Sequence, residues 1–391
     1  MKQFSAQYIF TNSGSPLKRG IVSTDNEGLI LSVEDTGGLN EERASVEYYN
    51  GIIIPGFVNC HCHLELSHMK GVAGKGSGLG DFIQQVRSTR ENSSKIISEA
   101  AGNADEEMTA NGIVLCADIC NNESSFLIKQ KSKIKYINLL EVFGIDPAKA
   151  QKRIAEIITV AEKCRALDLP SWIIPHAVYS TSLPLFRMIR ELAAENKVTS
   201  IHFMETEGEK EFLSKKSGAI AQSYVSSGLM PENPQTVNSH EDAVLNEITA
   251  SGNLILVHNT FSDRAAIDSV NNRGNTYWCL CPGSNIYIEN RLPPVNILRN
   301  AGCEIVTGTD SLASNDKLSI LDELKLLQDN FPFISLGELI KWATINGASA
   351  LGETDNYGVI EAGKKPGLLL LKDIDLVNLR LKPETTVTRL I

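Results

Sequence analysis

Eight short apolar, β-branched runs, separated by longer stretches with helical periodicity, constrain this chain more than any other feature of its sequence. Runs over residues 52–60, 112–119, 134–143, 172–178, 198–204, 253–258, 276–281 and 304–308 read as strands, and stretches such as 151–167, 183–196, 295–301 and 320–329 read as helices. Strands that alternate with helices build βα units on a parallel sheet, and eight such units predict an α/β chain folded as a (β/α)8 TIM barrel. Its 391 residues suit a large barrel with a small appendage. No sequence repeat of fixed period accompanies the rhythm.

Both ends differ from this pattern. Residues 1–50 alternate short strands with turns, over 7–10, 20–23 and 28–33. From Tyr357 the tail does the same, turning at Gly358, Gly363 and Gly367 before strands at 368–371 and 386–391. Neither end alone buries enough surface to stand by itself. The two are therefore expected to pair as a small composite β-sandwich, 1–54 plus 356–391, beside a catalytic barrel over 55–355.

The bulk chemistry excludes some partners. Hydrophobic residues are 42% and charged residues 21%, the balance of a soluble globular enzyme. A net charge of −10 disfavours nucleic acid, which needs a basic surface. No stretch approaches the ~20 apolar residues that span a bilayer, and residues 1–8 carry no signal-peptide pattern. Eight cysteines sit mostly in apolar runs and read as buried free thiols. The expectation is a reduced, cytoplasmic protein that acts on a small molecule, with no nucleic-acid or membrane partner. A homodimer is compatible with such a chain.

The densest chemistry lies in Asn59-Cys60-His61-Cys62-His63-Leu64-Glu65, where the first barrel strand ends. Residues two apart on a strand face the same way, so His61 and His63 point together into the barrel mouth as two metal ligands. Cys60 and Cys62 are then expected on the helix side, which weakens a rival Cys2His2 structural zinc site. Of seven histidines, five fall at or near strand ends: His61, His63, His176, His202 and His258. TIM-barrel active sites are assembled there. Asp310 follows the eighth strand. It is either a helix cap or a ligand, and five nearby histidines favour the ligand. Glu205, three residues after His202, reaches over the metal as an acid/base without binding it. Glu207, Glu209 and Glu211 read as solvated charges.

Together these residues resemble the amidohydrolase superfamily, and within it the cytosine, adenosine and guanine deaminase and chlorohydrolase branch. The likeness covers nearly the whole chain. It includes Pro55-Gly56-Phe57-Val58-Asn59 before His61-Cys62-His63, then His202-x-x-Glu205 and Leu256-Val257-His258. Cys281-Pro282-Gly283-Ser284-Asn285 and Gly308-Thr309-Asp310-Ser311-Leu312-Ala313-Ser314-Asn315 complete it. The resemblance implies one divalent metal, zinc or in some members iron, held by His61, His63, His202 and Asp310. It implies Glu205 as proton shuttle and His258 as the group that orients the water, and in the mechanism expected on it Asp310 or His258 takes that water's proton. It also implies His176 and Asn285 as substrate contacts. Cys62 departs mildly from the family's usual small residue or Thr, and Gly283 stands where another residue is common. Two-metal members carry a carboxylated lysine at the end of strand four. Here that region reads Ile174-Pro175-His176-Ala177, and Lys197 falls at the wrong end of the barrel, which favours one metal.

The activity so implied is hydrolytic deamination of an aminated heterocycle, a purine nucleoside-type substrate, by metal-activated water. Chloride displacement from a triazine-like ring, cyclic-amide hydrolysis, or a catalytically silent metal-binding paralogue are the alternatives. Glu65 in His63-Leu64-Glu65-Leu66-Ser67, with Gly80-Asp81-Phe82-Ile83, looks like aminodeoxyfutalosine deaminases, and Glu65 is either a substrate contact or a buried structural group. Residues 69–90 read as a lid or substrate loop, from which Arg87 and Arg90 either meet an anionic substrate or line an ordinary solvated helix.

Overall fold

The computed structural model describes residues 1–39, 43, 45–248 and 251–391. The N-terminal part supplies β1 (Lys2–Ile9), β2 (Leu17–Lys18), β3 (Ile21–Thr24), β4 (Ile30–Glu34) and β5 (Val46–Pro55). Eight strands then alternate with helices: β6 (Phe57–Cys62), β7 (Ile113–Cys120), β8 (Lys135–Val142), β9 (Ser171–Pro175), β10 (Val198–Phe203), β11 (Asn253–His258), β12 (Thr276–Leu280) and β13 (Glu304–Thr307). The tail adds β14 (Leu368–Lys372) and β15 (Thr386–Arg389).

The chain is α/β, and its eight central strands form two four-stranded parallel sheets, β6-β7-β8-β9 and β10-β11-β12-β13. Single parallel bridges, Ala177–His202 and Cys62–Asp310, stand at the two junctions between these sheets. Strands buried on both faces need continuous apolar sequence rather than alternation. Val58, Leu115, Leu139, Ile174, Val198, Val257, Cys279 and Val306, one from each of the eight, meet in a single apolar cluster.

The two chain ends share one seven-stranded sheet, ordered β15-β14-β5-β1-β3-β4 with β2 on β1. Ile53 and Leu370, paired in register, pack with Phe4, Ile9 and Val22 in a core of their own. By strand pairing this is a single sheet rather than two facing ones.

The expected first strand over 52–60 is two strands. Val46–Pro55 joins the end sheet, and Phe57–Cys62 opens the parallel set. The break is at Gly56, where a Cβ would lie 2.4 Å from Val114 Cγ1 and 2.7 Å from the Pro366 carbonyl oxygen. An uninterrupted apolar run hides that junction, because periodicity does not report which sheet a residue enters.

Candidate active site

The ends of the parallel strands deliver the polar groups to one place. The ligand nitrogens of His61, His63 and His202 lie within 4.8 Å of one another, and all three residues are buried. His61 Nε2 and His63 Nε2 are 3.1 Å apart, and Asp310 Oδ1 is 3.5 Å and 3.4 Å from them. The other Asp310 oxygen accepts from the Ser284 and Ser314 hydroxyls, each at 2.6 Å. His202 Nδ1 donates to the His176 carbonyl oxygen at 2.9 Å, which leaves its Nε2 for the cluster. Burial, then His61, push His63 well below the usual imidazole range. Burial, then His176, hold His202 down at about 3. Burial would raise Asp310, but the His61 imidazole, with His63 and His258, keeps its carboxyl well below its ordinary value. Three buried imidazoles and one carboxylate whose ligand atoms converge on one point fit a divalent cation.

Strand alternation explains only part of this. The β6–β7 register shifts between Asn59 and Cys62, and His63 lies past the strand as the cap of a short 3-10 turn, Leu64–Met69. The expectation that Cys60 and Cys62 share a face therefore fails. Cys62 meets Met108 on a helix, whereas Cys60 joins the cluster of strand side chains that includes Cys279 and Val306. Gly308 admits this packing, since a Cβ there would sit 2.9 Å from His61 Cβ and 3.0 Å from Cys279 Sγ.

Glu205 and His258 face each other beside the cluster, with His258 Nε2 3.5 Å from Glu205 Oε1. Burial, then the charges of Asp310 and Glu209, raise Glu205 well above the ordinary carboxyl range. Asn285 Nδ2 donates to His258 Nδ1 at 3.3 Å and to Thr260 Oγ1 at 2.7 Å. This leaves the His258 proton on Nε2, a buried atom with no partner. Asn285 does not line the cavity. The expected substrate contact is instead a support for His258. His258 at φ 74° and Asp310 at φ 57° both hold left-handed backbone, strain of the kind that collects at functional sites.

A cavity open at its mouth lies above these groups. Its apolar wall is Leu66, Leu79, Phe82, Ile83 and Val86, four of them from the helix Gly78–Thr89. His176 lines it, with Nδ1 2.6 Å from the Ser180 hydroxyl and its pKa held down at about 3 by burial, then by Arg87 and Arg90. Arg87 and Arg90 both line the cavity, so one face of the helix Gly78–Thr89 covers it while Arg87 stays exposed. Arg87 stacks on the Tyr224 ring at 5.4 Å.

Glu65 is not part of that wall. Its carboxylate is paired with Arg90 and accepts from the Asn121 backbone N–H at 3.0 Å, so both oxygens are spent inside the protein. Of its two readings the buried structural one matches this placement. Gly283 likewise faces Asn315 and Glu323, not the cavity.

Two features escaped the sequence reading. Glu141, on β8, lines the cavity with one buried oxygen unpartnered. Glu209, read as solvated, is fully buried and bonded to His240 at 2.7 Å. A carboxylate inside an apolar strand was the available signal for Glu141. Nothing local distinguishes Glu209 from its exposed neighbours.

The profile of the amidohydrolase family matches residues 52–389. The chain is 28% identical over 366 residues to a 5-methylthioadenosine/S-adenosylhomocysteine deaminase of Thermococcus kodakarensis, covering 89% of this chain and 79% of that one. A Helicobacter pylori aminofutalosine deaminase, solved with methylthio-coformycin, superposes with a TM-score of 0.81 at 24% identity, covering 96% and 93%. A Xanthomonas campestris adenosine deaminase with bound zinc gives 0.71 at 20% identity, covering 94% and 84%. Among the described residues no helix is long and apolar enough to cross a membrane.

Proposed function

Because the chain belongs to the amidohydrolase family, we propose that it is a metal-dependent hydrolytic deaminase acting on an aminated purine nucleoside. The carrying observation is Glu205: a buried carboxyl, outside the histidine cluster, 3.5 Å from the unpartnered Nε2 of His258 at the cavity floor. A silent metal-binding paralogue has no use for that pair. The deaminase names of the relatives, all on adenine nucleosides, support the same substrate class.

His61, His63, His202 and Asp310 would hold one divalent metal, with zinc favoured over iron. When bound, such a metal lowers the pKa of a coordinated water from ~15.7 towards ~7. Asp310, fixed by two serine hydroxyls, offers Oδ1 as proton acceptor. Glu205 in its acid form protonates the ring nitrogen next to the carbon that bears the amino group. The His258 Nε2–H stabilises the oxygen that adds to this carbon. The proton taken up by Asp310 then passes to the amino group while the remaining hydroxyl proton goes to the Glu205 carboxylate, which releases ammonia, leaves the ring carbonyl and restores the acid form of Glu205. On this reading His176 and the Glu141 oxygen would meet the rest of the nucleoside, and Arg87 an anionic group at its far end, since all three line the cavity.

On this reading the eight parallel strands are one closed (β/α)8 barrel over 55–355, a closure supported by the bridges Ala177–His202 and Cys62–Asp310. Residues 1–54 plus 356–391 form the composite β-domain, built on the single seven-stranded sheet rather than as the expected sandwich. A cytoplasmic homodimer is the proposed working form. The test is ammonia release across adenosine, 5′-substituted adenine nucleosides, guanine, cytosine and a chlorinated triazine. Ammonia from the adenine nucleosides is expected. Chloride release alone would replace the deaminase reading with the chlorohydrolase one.

A further inference from the structure

Glu205 is carried on backbone that does not hold itself. β10 ends at Phe203, and Met204 turns the chain at φ 49°, a left-handed conformation that a non-glycine residue keeps only when its surroundings impose it. The next two peptide N–H groups, of Glu205 and Thr206, both donate to Glu209 Oε1, at 2.7 Å and 3.0 Å. Glu209 Oε2 accepts from His240 Nε2 at 2.7 Å. His240 comes from a distant segment, held by Ser239, whose hydroxyl accepts from the Asp242 N–H at 3.1 Å. Its ring stands edge-on to Phe203, centroids 5.4 Å apart. Glu209 and His240 are 0% and 1% exposed, and neither lines the cavity.

We propose that Glu209 and His240 are positioning residues for Glu205: the buried pair clamps the two peptides after β10 and so aims the Glu205 carboxyl at His258 and the cavity floor. Three observations converge on it. The turn at Met204 needs an external constraint: the Phe261 N–H holds the Met204 carbonyl at 2.9 Å, and Glu209 holds the two peptide N–H groups that follow. Both Glu209 oxygens are committed, one to the Glu205 turn and one to His240, so the pair is a single unit. A buried carboxylate–imidazole contact has no clear stability advantage over an apolar pair of similar volume. Its worth is the direction it gives to the peptide. The reaction it serves is the one proposed above, and the inference rests on that reading for its kinetic consequence only.

The test uses metal-loaded full-length protein and the adenine nucleoside that the wild type turns over fastest. Glu209→Ala and His240→Ala should each lower kcat about a hundredfold, the cost of a displaced catalytic group, with KM within about twofold and metal content unchanged. The double variant should be no slower than the slower single variant, because the two act as one unit. His240→Gln can still donate to Glu209 and should recover at least about tenfold of the loss. A lowered Tm with kcat unchanged, or a raised KM at unchanged kcat, would overturn the proposal. If an alanine variant does not fold, His240→Leu, which fills the site but cannot donate to Glu209, carries the kinetic arm, with kcat lowered at least about tenfold as the supporting result and unchanged kcat as the overturning one. Amide hydrogen exchange at Glu205 and Thr206 is the arm that needs no substrate. Exchange at least about tenfold faster in His240→Ala or His240→Leu supports the clamp, and unchanged exchange in them sinks it. A wild type that releases no ammonia from any adenine nucleoside would remove the deaminase reading and leave the exchange arm to decide the clamp.

Discussion

The cavity floor and the charge pairs beside and behind its wall are both built from largely buried charged groups, yet they follow opposite rules. Behind the wall each charge has its partner. Lys129 is paired with Asp118 and bonded to Asn138 Oδ1 at 2.8 Å, and Glu65 is paired with Arg90. Burial works against the Lys129 charge, but Asp118 and Cys120 more than offset it and hold the ammonium above its ordinary range. On the floor, His61, His63, His202 and Asp310 crowd acceptors together, and Glu205 faces an unpartnered nitrogen. A satisfied buried charge is structure. An unsatisfied one is held ready for something not yet bound.

The largest expected effect is removal of the cation. His61→Ala or His63→Ala should lose bound metal by elemental analysis and turnover with it. Full metal occupancy would take that histidine off the ligand list. Next is Glu205→Gln, with metal content unchanged and kcat down about 10²–10⁴-fold. Since burial raises the Glu205 pKa and the reaction draws on its acid form, wild-type kcat should fall as pH rises through that value, and this limb should vanish in the glutamine variant.

Behind the wall the readout is stability. Lys129→Met strands a buried carboxylate and should cost about 3–5 kcal/mol in denaturant unfolding. A cost below about 1 kcal/mol would mean that this layer is not the balanced network described. At the boundary of the two regions, Arg87→Gln should raise KM about tenfold for a substrate with a carboxylate arm and leave a neutral-armed one unchanged.

The smallest effect concerns Glu323, whose pKa burial lifts to about 8 against hydrogen bonds from the Gly283 N–H and Asn315. Its folded pKa exceeds its unfolded one, so its contribution is complete below the unfolded value near 4.5 and is lost as pH rises towards 8. The pH slope of stability across that window should shrink in Glu323→Gln.

Much of the floor was legible in the sequence because its residues sit at strand ends, which apolar runs reveal. His61, His63, His202, His258 and Asp310 converge as their positions after those runs predict. The charges behind the wall were not legible. Glu65 and Glu209 each resemble a solvated or substrate-facing carboxylate until their partners arrive from 25 and 31 residues away.

The sequence alone determined the alternating elements, the family and the polar residues at the strand ends, since each is written in local order. Tertiary structure decided three things that local order does not hold. The bulge before Cys62 separated Cys60 from it. The Arg90 pairing withdrew Glu65 from the cavity. The arrival of His240 made Glu209 a clamp. In each case the deciding partner is remote along the chain, and a side chain's chemistry depends on what has been brought against it.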